Sequence, residues 1–336
     1  MSNMVEVHAF AVEWFDANAS LVRKYRLNYF GDGTVELLNP ERTKTILKRI
    51  PLNTITLGML YIGSAVTIFS RQYHIVGYAD EGTRKKFESD NGKAFCVVSG
   101  AAMKEKGRIL GSIRKGGFVI SNLKTVNTPD GDTILAVLAV SDRFGTNEAV
   151  TKFREMANTW GYEEDNIFCS GDAAAVIEHT EIYFGENCLP NSSVVNQEAT
   201  LCLIKPHIIQ EGNLGAVISQ IEGDFSVAAM QMFYLDRECA VEFFDVYRGV
   251  LPQYGEIVQH LIDGPVVALQ LVGENVVENF REFAGPINVE VAGILRPKTL
   301  RAVWGHDFAK NAVHATDLEE DGGLECKYFF DILAHI

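Results

Sequence analysis

The sequence predicts a multidomain α+β protein, with a mostly-β N-terminal domain and two further domains that are copies of one another. Three observations carry this. Apolar residues alternate with polar ones in runs through the first 88 positions, the period-2 signature of half-buried strands. From residue 93 the pattern changes to strand, helix, strand. After a Pro/Asn/Ser-rich stretch at 185–198 that second pattern starts again. A chain of 336 residues also exceeds what one core holds, so two or three domains are expected.

In the N-terminal part, "KYRLNYFGDGTVELL" alternates Tyr25, Leu27 and Tyr29, turns at Gly31-Asp32-Gly33 and resumes with Val35 and Leu37. An Asp-Gly turn between alternating runs predicts a hairpin. "AVTIFSRQYHIVGYAD" adds at least two short strands, and such a meander predicts a small barrel or sandwich. A charged stretch, 80–93, closes this part. Then "AFCVVSGAAMKEKGRILGSIRKGGFVISNLKTV" offers an apolar strand, a helix with Ile109, Leu110 and Ile113 on one face, a Gly-Gly stop and a second strand. "AVTKFREMANTW" makes a further helix.

Beyond the linker, "ATLCLIKPHIIQEGNLGAVISQIEGDFSVAAMQMF" repeats the series position by position. Cys96 answers Cys202, Val98 answers Ile204, Gly107 answers Gly212 and Phe118 answers Phe225. The ends match as well, "NIFCSGD" (166–172) against "NAVHATD" (311–317), so the two halves read as a duplication. It is unequal. Lys205 is answered by Ser99, His314 by Cys169 and Glu325 by Thr180, so the first copy keeps the apolar frame and loses the polar set.

Composition narrows the function. A net charge of −14 argues against a DNA or RNA binder, because phosphate backbones need clustered Lys and Arg. Hydrophobic content of 47% with 22% charged residues is that of a globular chain. No run reaches the roughly 18 apolar residues of a spanning helix, and "TITLGMLYIGSAVTIFS" (54–70) is broken by Thr, Gly and Ser and suits strands. "MSNMVEVHAF" shows no basic start before an apolar core, so no secretory signal is expected. The six cysteines stand singly and read as free thiols of a reducing compartment, with no zinc site; the sequon at Asn191 reads as chance.

Chemistry concentrates in the second copy. Lys205-Pro206 follows an apolar strand, Arg281 lies in "FREFAGP", Arg301 in "TLRAVWG", and Asn311 three residues before His314. Three cations, an amide and an imidazole around one pocket suit a polyphosphate, since Arg gives bidentate contacts and Lys a point charge. An imidazole is a nucleophile near neutral pH, and a carboxylate such as Glu325 on its other nitrogen fixes the tautomer. Each element alone has an ordinary structural reading: a solvated lysine, surface ion pairs, a structural histidine, an acidic helix start.

The segment from "ATLCLIKPH" to "YFFDIL" resembles a nucleoside diphosphate kinase domain, through its strand-K-P opening and its N-x-x-H-[GA]-[ST]-D ending. Residues 93–184 resemble a second, degenerate copy. Residues 5–88 resemble the DM-ten domain, through "VEWFDANASLVRKYRLNYFGDGTVELL", "ILKR" and "GSAVTIFSRQYHIVGYADEGT". This layout is similar to that of the nucleoside diphosphate kinase seven family, which is associated with cilia and flagella. The resemblance implies a pleckstrin-like DM-ten domain at 1–88, a degenerate ferredoxin-like (βαββαβ) kinase domain at 89–190, and a kinase domain with an intact histidine motif at 198–336. Each kinase-like sheet would carry helices on one face, and the two would pack as subunits do in family dimers.

It further implies that His314 is the phosphorylated nucleophile, oriented by Glu325. Lys205, Arg281 and Arg301 would hold the phosphates of a Mg-nucleotide (ATP or GTP), with no metal site on the protein itself. Asn311 would reach the sugar, and Tyr254 and Phe308 would sandwich the base, which suits an enzyme indifferent to base identity. Three positions depart from the family pattern: Phe244 replaces a tyrosine, Ile287 a threonine, and Thr316 a serine. Thr316 is a mild change that keeps a hydroxyl; from the hydroxyls lost at Phe244 and Ile287 and the degenerate first copy, the expected role is a structural component of axonemal doublet microtubules. It would contact tubulin and other inner proteins of the cilium or flagellum, or lie in the cytoplasm, with a residual nucleotide-binding or phosphotransfer site and no membrane contact. The alternative is an active kinase passing the γ-phosphate from NTP to NDP through His314.

Overall fold

The computed structural model describes residues 6–16, 19, 21–40, 42–52, 54–60, 64–69, 71–80, 82–83, 92–141, 143–163, 165–185, 187–194 and 198–335. They fall into two compact units, Met1–Asn91 and Gly92–Ile336. Most of the charged stretch 80–93, and parts of 1–20, 54–70 and 185–198, lie outside the described residues. Among the described residues no helix is long and apolar enough to cross a membrane.

In the N-terminal unit, β1 (Val7–Asp16), β2 (Leu21–Phe30), β3 (Thr34–Leu38), β4 (Thr45–Pro51), β5 (Ala65–Ile68) and β6 (Arg71–Tyr78) form one antiparallel sheet in the order β4-β3-β2-β1-β6-β5. The hairpin sits where the Asp-Gly signal predicts it, with Tyr29 opposite Val35. Gly33 takes the left-handed φ of 79° that a side chain resists, and Asp32 Oδ1 accepts from the Thr34 amide at 3.1 Å. Alternate residues Phe10 and Val12, Val35 and Leu37, Tyr73 and Ile75 face one side and bury the core. No pairing joins β4 to β5 among the described residues, so the described strands make an open sheet.

The second unit holds β7 (Lys93–Val98), β8 (Val119–Asn127), β9 (Thr133–Val140), β10 (Ile167–Cys169), β11 (Ala199–Ile204), β12 (Ser226–Phe233), β13 (Val266–Val272) and β14 (Val313–Ala315). They form a single eight-stranded sheet, in the order β10-β7-β9-β8-β12-β13-β11-β14, antiparallel throughout. Numbered within each copy this reads 4-1-3-2 and then 2-3-1-4, the same strand order twice, turned about the β8–β12 junction. Each copy also has a helix between its first and second strands and another between its third and fourth, a βαββαβ connection.

The junction is held more by side chains than by the backbone ladder, whose one backbone pair there is Lys124 opposite Gln231. Thr125 Oγ1 on β8 accepts from the Met230 amide on β12 at 2.8 Å, and Ser192 of the inter-copy segment lies 2.7 Å from the same hydroxyl. At Ser192, only 2% exposed, this segment is therefore packed. The amide of Asn191 donates to Phe330 O at 2.7 Å, so the sequon side chain is already engaged.

Above the junction the helix Lys106–Lys115 lies against its counterpart Leu214–Glu222. Both present the same apolar spacing, Ile109-Leu110-Ile113 and Val217-Ile218-Ile221, to a shared core. Gly107 meets the backbone of Gly215 and Ser219, and Gly215 meets Gly107 and Gly111, so close that a Cβ at either would collide with backbone atoms. This corrects the sequence pairing: the partner of Gly107 is Gly215. Gly212 instead takes φ 82° to close the short helix Pro206–Gln210.

The expectation of helices on one face also needs correction. Ala199, Leu201 and Leu203 of β11 pack into one cluster with the helix Tyr254–Leu261 and with Phe329 and Phe330, whereas Cys202 and Ile204 pack into another with the Leu214–Glu222 and Val276–Ala284 helices. Every residue of β11 is buried, as in strands covered on both faces. The unbroken apolar runs "ATLCLI" and "VVALQLV" carry that signal, since a one-faced sheet alternates. The Gly215 contact yields a prediction. Gly215→Ala forces two backbones apart, a loss of about 1–3 kcal/mol, and should lower the thermal midpoint by several degrees in a melt followed by circular dichroism.

Candidate functional site

Strand β14 pairs with β11 so that His314 stands opposite Leu203, on the sheet face covered by aromatic side chains. Phe243 and Phe244 meet the imidazole edge to face at 5.2 and 5.3 Å, and Tyr247 lies at 6.4 Å. His314 is 6% exposed. Its Nε2 is 2.9 Å from Glu325 Oε2. A carboxylate accepts only, so Nε2 carries the hydrogen and Nδ1 the lone pair. Glu325 is itself held, because Thr316 Oγ1 donates to the same oxygen at 2.8 Å while accepting from the Leu201 amide at 3.1 Å. The chain of bonds thus runs from the β11 backbone to the imidazole.

Glu325 reaches this point because its helix, Glu319–Lys327, lies directly on the start of β11. A Cβ on Gly322 would strike Ala199 O, so only glycine lets the helix approach. One turn later Glu325 faces His314. The preceding backbone is strained: Ala312 has φ 71°, where non-glycine residues rarely sit. Three donors pin that stretch. The Lys205 amide donates to Ala312 O at 3.0 Å, and Arg301 Nε and Nη2 both donate to Val313 O at 3.2 Å.

Lys205 caps the helix Pro206–Gln210 and is 2% exposed. Its Nζ donates to Ala309 O at 2.8 Å. Burial brings its pKa down to about 7, helped by Arg301 and opposed by Asp307. Arg301, on the helix Leu300–Trp304, also donates from Nη1 to Gly285 O at 2.7 Å, and burial lowers its pKa to about 10. Two cations therefore lie close together with too little anionic charge beside them. Asn311 is 2% exposed, and its Oδ1 has no partner. Arg281 stands more open, 3.5 Å from Asp317. Tyr254 and Phe308 flank the aromatic cluster, half-buried, with no ring contact to each other among the described residues. The structure thus gathers His314, Glu325, Lys205, Arg301 and Asn311 closely, with Arg281 joined to them through Asp317. Two cavities, of about 530 and 920 Å³, open elsewhere and are not lined by these residues.

The first copy differs from the sequence comparison by one residue. Ser99 N donates to Asn166 O where Lys205 N donates to Ala312 O, and Phe168 pairs with Val97 where His314 pairs with Leu203. Phe168 therefore occupies the histidine position. Cys169 aligns with Ala315 and packs into the core on the opposite face. Likewise Ser170 Oγ is 2.8 Å from His179 Nδ1 where Thr316 bonds Glu325, so His179 rather than Thr180 matches Glu325. A shift of one residue reverses the face of a strand. Ser99 bonds the carbonyls of Asp165 and Asn166 and reaches no further.

Three groups escaped sequence reasoning. Tyr247, three residues after Phe244, returns a phenol to the site and donates to Asp317; burial and that carboxylate hold it protonated. Thr316 seemed a mild replacement and proves to be the bridge to Glu325. The third is a histidine cluster behind Lys205. His207 Nδ1 is 2.9 Å from His260 Nε2, its ring is 5.3 Å from that of His306, and His306 pairs with Glu211 at 2.7 Å. The only signal was "KPH", a histidine two residues from the lysine.

Burial, with the charges of His260, His306 and Lys205, brings the His207 pKa down from 6.5 to about 3. The folded protein thus disfavours a proton that the unfolded chain takes up below 6.5. Stability is intact above that pH and is lost as pH falls from 6.5 toward 3. Melts across this range should show a steep fall in midpoint for the native chain and a shallower one for His207→Gln.

With this geometry established, comparison with known proteins gives the following. Residues 198–333 match the family model "Nucleoside diphosphate kinase". A mouse protein, nucleoside diphosphate kinase homolog 7, is 34% identical over 98% of this chain and 94% of its own. The nucleoside diphosphate kinase of Lawsonia intracellularis is 38% identical over 41% of this chain and 97% of its own. A crystal structure of the Aquifex aeolicus enzyme aligns with 41% of this chain and 99% of its own, at 36% identity and a TM-score of 0.38. Because the likeness to the mouse protein runs almost from end to end, the chain belongs to the nucleoside diphosphate kinase homolog 7 family.

Proposed function

We propose that residues 198–336 bind a nucleoside triphosphate and pass its γ-phosphate through His314 to a nucleoside diphosphate. The observation that carries this is the oriented imidazole: Glu325 holds Nε2 and leaves the Nδ1 lone pair free, beside buried cations. The pocket's chemistry fits a polyphosphate. Lys205 and Arg301 have charge to share, and the orphaned Asn311 Oδ1 suits a sugar hydroxyl. Tyr254 and Phe308 offer faces to any base. A Mg²⁺ carried on the phosphates would neutralise part of their charge.

Nδ1 attacks the γ-phosphorus, the bond to the bridging oxygen breaks, and the diphosphate leaves with that oxygen. The positive charge formed on the ring is met by Glu325, itself steadied by Thr316. The second half-reaction reverses these steps on another diphosphate. Incubation of the full chain with [γ-³²P]ATP should give an acid-labile, alkali-stable label. His314→Ala should carry none. Glu325→Gln, whose amide can donate to Nε2 and place the hydrogen on Nδ1, should slow labelling by about 10²-fold or more. An unlabelled native chain overturns the reading.

One observation favours a second role, as a scaffold of axonemal doublet microtubules in contact with tubulin. The first copy keeps its sheet, its core and its junction with the second, yet has Phe168 and Ser99 where a nucleophile and a phosphate ligand would stand. Selection for turnover alone has no use for it. In a ciliated cell, His314→Ala should then leave axonemal localisation and motility intact while removal of residues 1–88 abolishes localisation. Normal localisation after that removal sinks the scaffold reading and leaves the phosphotransfer one standing.

A further inference from the structure

We infer that Cys188 and Lys124 form an oxidation site, at which peroxide joins the thiol to the amine in a covalent nitrogen–sulfur link. The cavity of about 920 Å³ lies beside the junction of the two copies and is lined from both, by Asn122, Lys124 and Cys188 on one side and Gln231, Gln270 and Phe330 on the other. Lys124 is 5% exposed, yet it joins no carboxylate among the described residues. Its Nζ donates instead to Cys188 Sγ at 3.1 Å. An ammonium removed from water ordinarily finds an anion. Here the partner is a sulfur, itself half-buried at the cavity wall.

Both partners are fixed by structure unrelated to the pair. Lys124 is the residue of β8 that stands opposite Gln231 of β12. Cys188 is placed by turn bonds from its own amide to Gly185 O at 3.2 Å and from the Leu189 amide to Ile182 O at 3.1 Å. Sulfur and nitrogen already lie 3.1 Å apart, so joining them only closes that gap and leaves the strand pairing in place. The other cysteines are poor competitors. Burial pushes Cys96 well up, Cys169 and Cys326 to about 12, and Cys239 to about 11, and Cys202 is raised in the same way.

The chemistry balances with hydrogen peroxide as the oxidant, entering through the cavity. Sulfur attacks one peroxide oxygen, the O–O bond breaks, and water leaves; sulfur is oxidised by two electrons to a sulfenic acid while peroxide is reduced. Lys124, having given one ammonium proton to solvent, attacks that sulfur. The S–O bond breaks, hydroxide leaves with a second proton from nitrogen as water, and a sulfenamide remains. Two equivalents of an added thiol return the free cysteine and amine, themselves becoming a disulfide. The link ties the segment joining the copies to the strand at their junction, independently of His314.

The test is peptide mapping by mass spectrometry of the full-length protein after brief exposure to hydrogen peroxide. The expected product is a Cys188 peptide joined to the Lys124 peptide with the loss of two hydrogens, reversed by dithiothreitol and absent from Cys188→Ser and Lys124→Arg. Dimedone added with the peroxide to the native protein should trap Cys188 sulfenic acid at the expense of the link, a readout that needs no variant to fold. The inference is overturned if Cys188 stays reduced while another cysteine oxidises, or if it passes to sulfinic acid with the Lys124 peptide unmodified.

Discussion

Strand β11 is buried on both faces along its whole length, and the arrangement around His314 depends on that immobility. Its first residue supplies the carbonyl on which Gly322 rests, which sets the depth of the Glu325 helix. Its third supplies the amide that fixes Thr316, and its fifth stands opposite His314. The chain leaving it carries Lys205, whose amide holds the strained Ala312 carbonyl. His314, Glu325 and Lys205 are thus referred to one rigid element. A strand covered from both sides offers them fixed backbone groups to bond, for Glu325 through Thr316.

The same double burial explains why the two copies are one structure. Each sheet alone leaves a second strand, β8 or β12, at an open edge and a glycine-lined helix above it. Edges of that kind invite unwanted pairing. Joined, they close on each other: Thr125 and Ser192 saturate the junction, the glycines admit the helices to backbone contact, and Lys106 pairs with Glu222 across the interface at 2.5 Å. The first copy therefore covers the edge strand and the helix face of the second. Phe168 stands in the histidine position with the sheet pairing and the shared core of the first copy intact.

Periodicity and punctuation made much of this legible. The Asp-Gly hairpin, the shift from period 2 to strand-helix-strand and the duplication follow from residue type and spacing, whereas the grouping of His314 with Glu325, Lys205, Arg301 and Asn311 came through the resemblance to the kinase family. Register came from neither. "NIFCSGD" and "NAVHATD" match best with cysteine on histidine, yet the ladders differ by one residue, because letters align by identity and strands by hydrogen bonds. Helix coverage on both faces was written in "ATLCLI", but a run of six apolar residues does not say what lies on either side of it. The phenol of Tyr247 and the three-histidine cluster depend on contacts between residues at least 53 apart in the chain, which no local pattern encodes.

The site's electrostatics carry the argument one step further. Burial disfavours charge on both Lys205 and Arg301 in the folded chain; Arg301 adds to the effect on Lys205, and Arg281 to that on Arg301. The acids that oppose these shifts are Asp307 for Lys205 and Asp317 for Arg301, and Asp317 is shared with Arg281 and Tyr247 and half exposed. Such a pocket is less stable than one lined with neutral groups, so the deficit falls on the folding of the domain. On the proposed reading a polyphosphate removes it: the anion raises both pKa values, draws a proton onto Lys205 near neutral pH, and satisfies donors that now point only at backbone carbonyls. Binding and folding are then coupled through the same two side chains. On the same reading Ile287 would remove a phosphate contact and Phe244 a hydroxyl near Lys205 and His314, without altering that coupling, because neither position carries charge. Affinity for the anion and speed of phosphate transfer are therefore separable here, the first resting on buried cations and the second on how well the remaining donors meet the transition state.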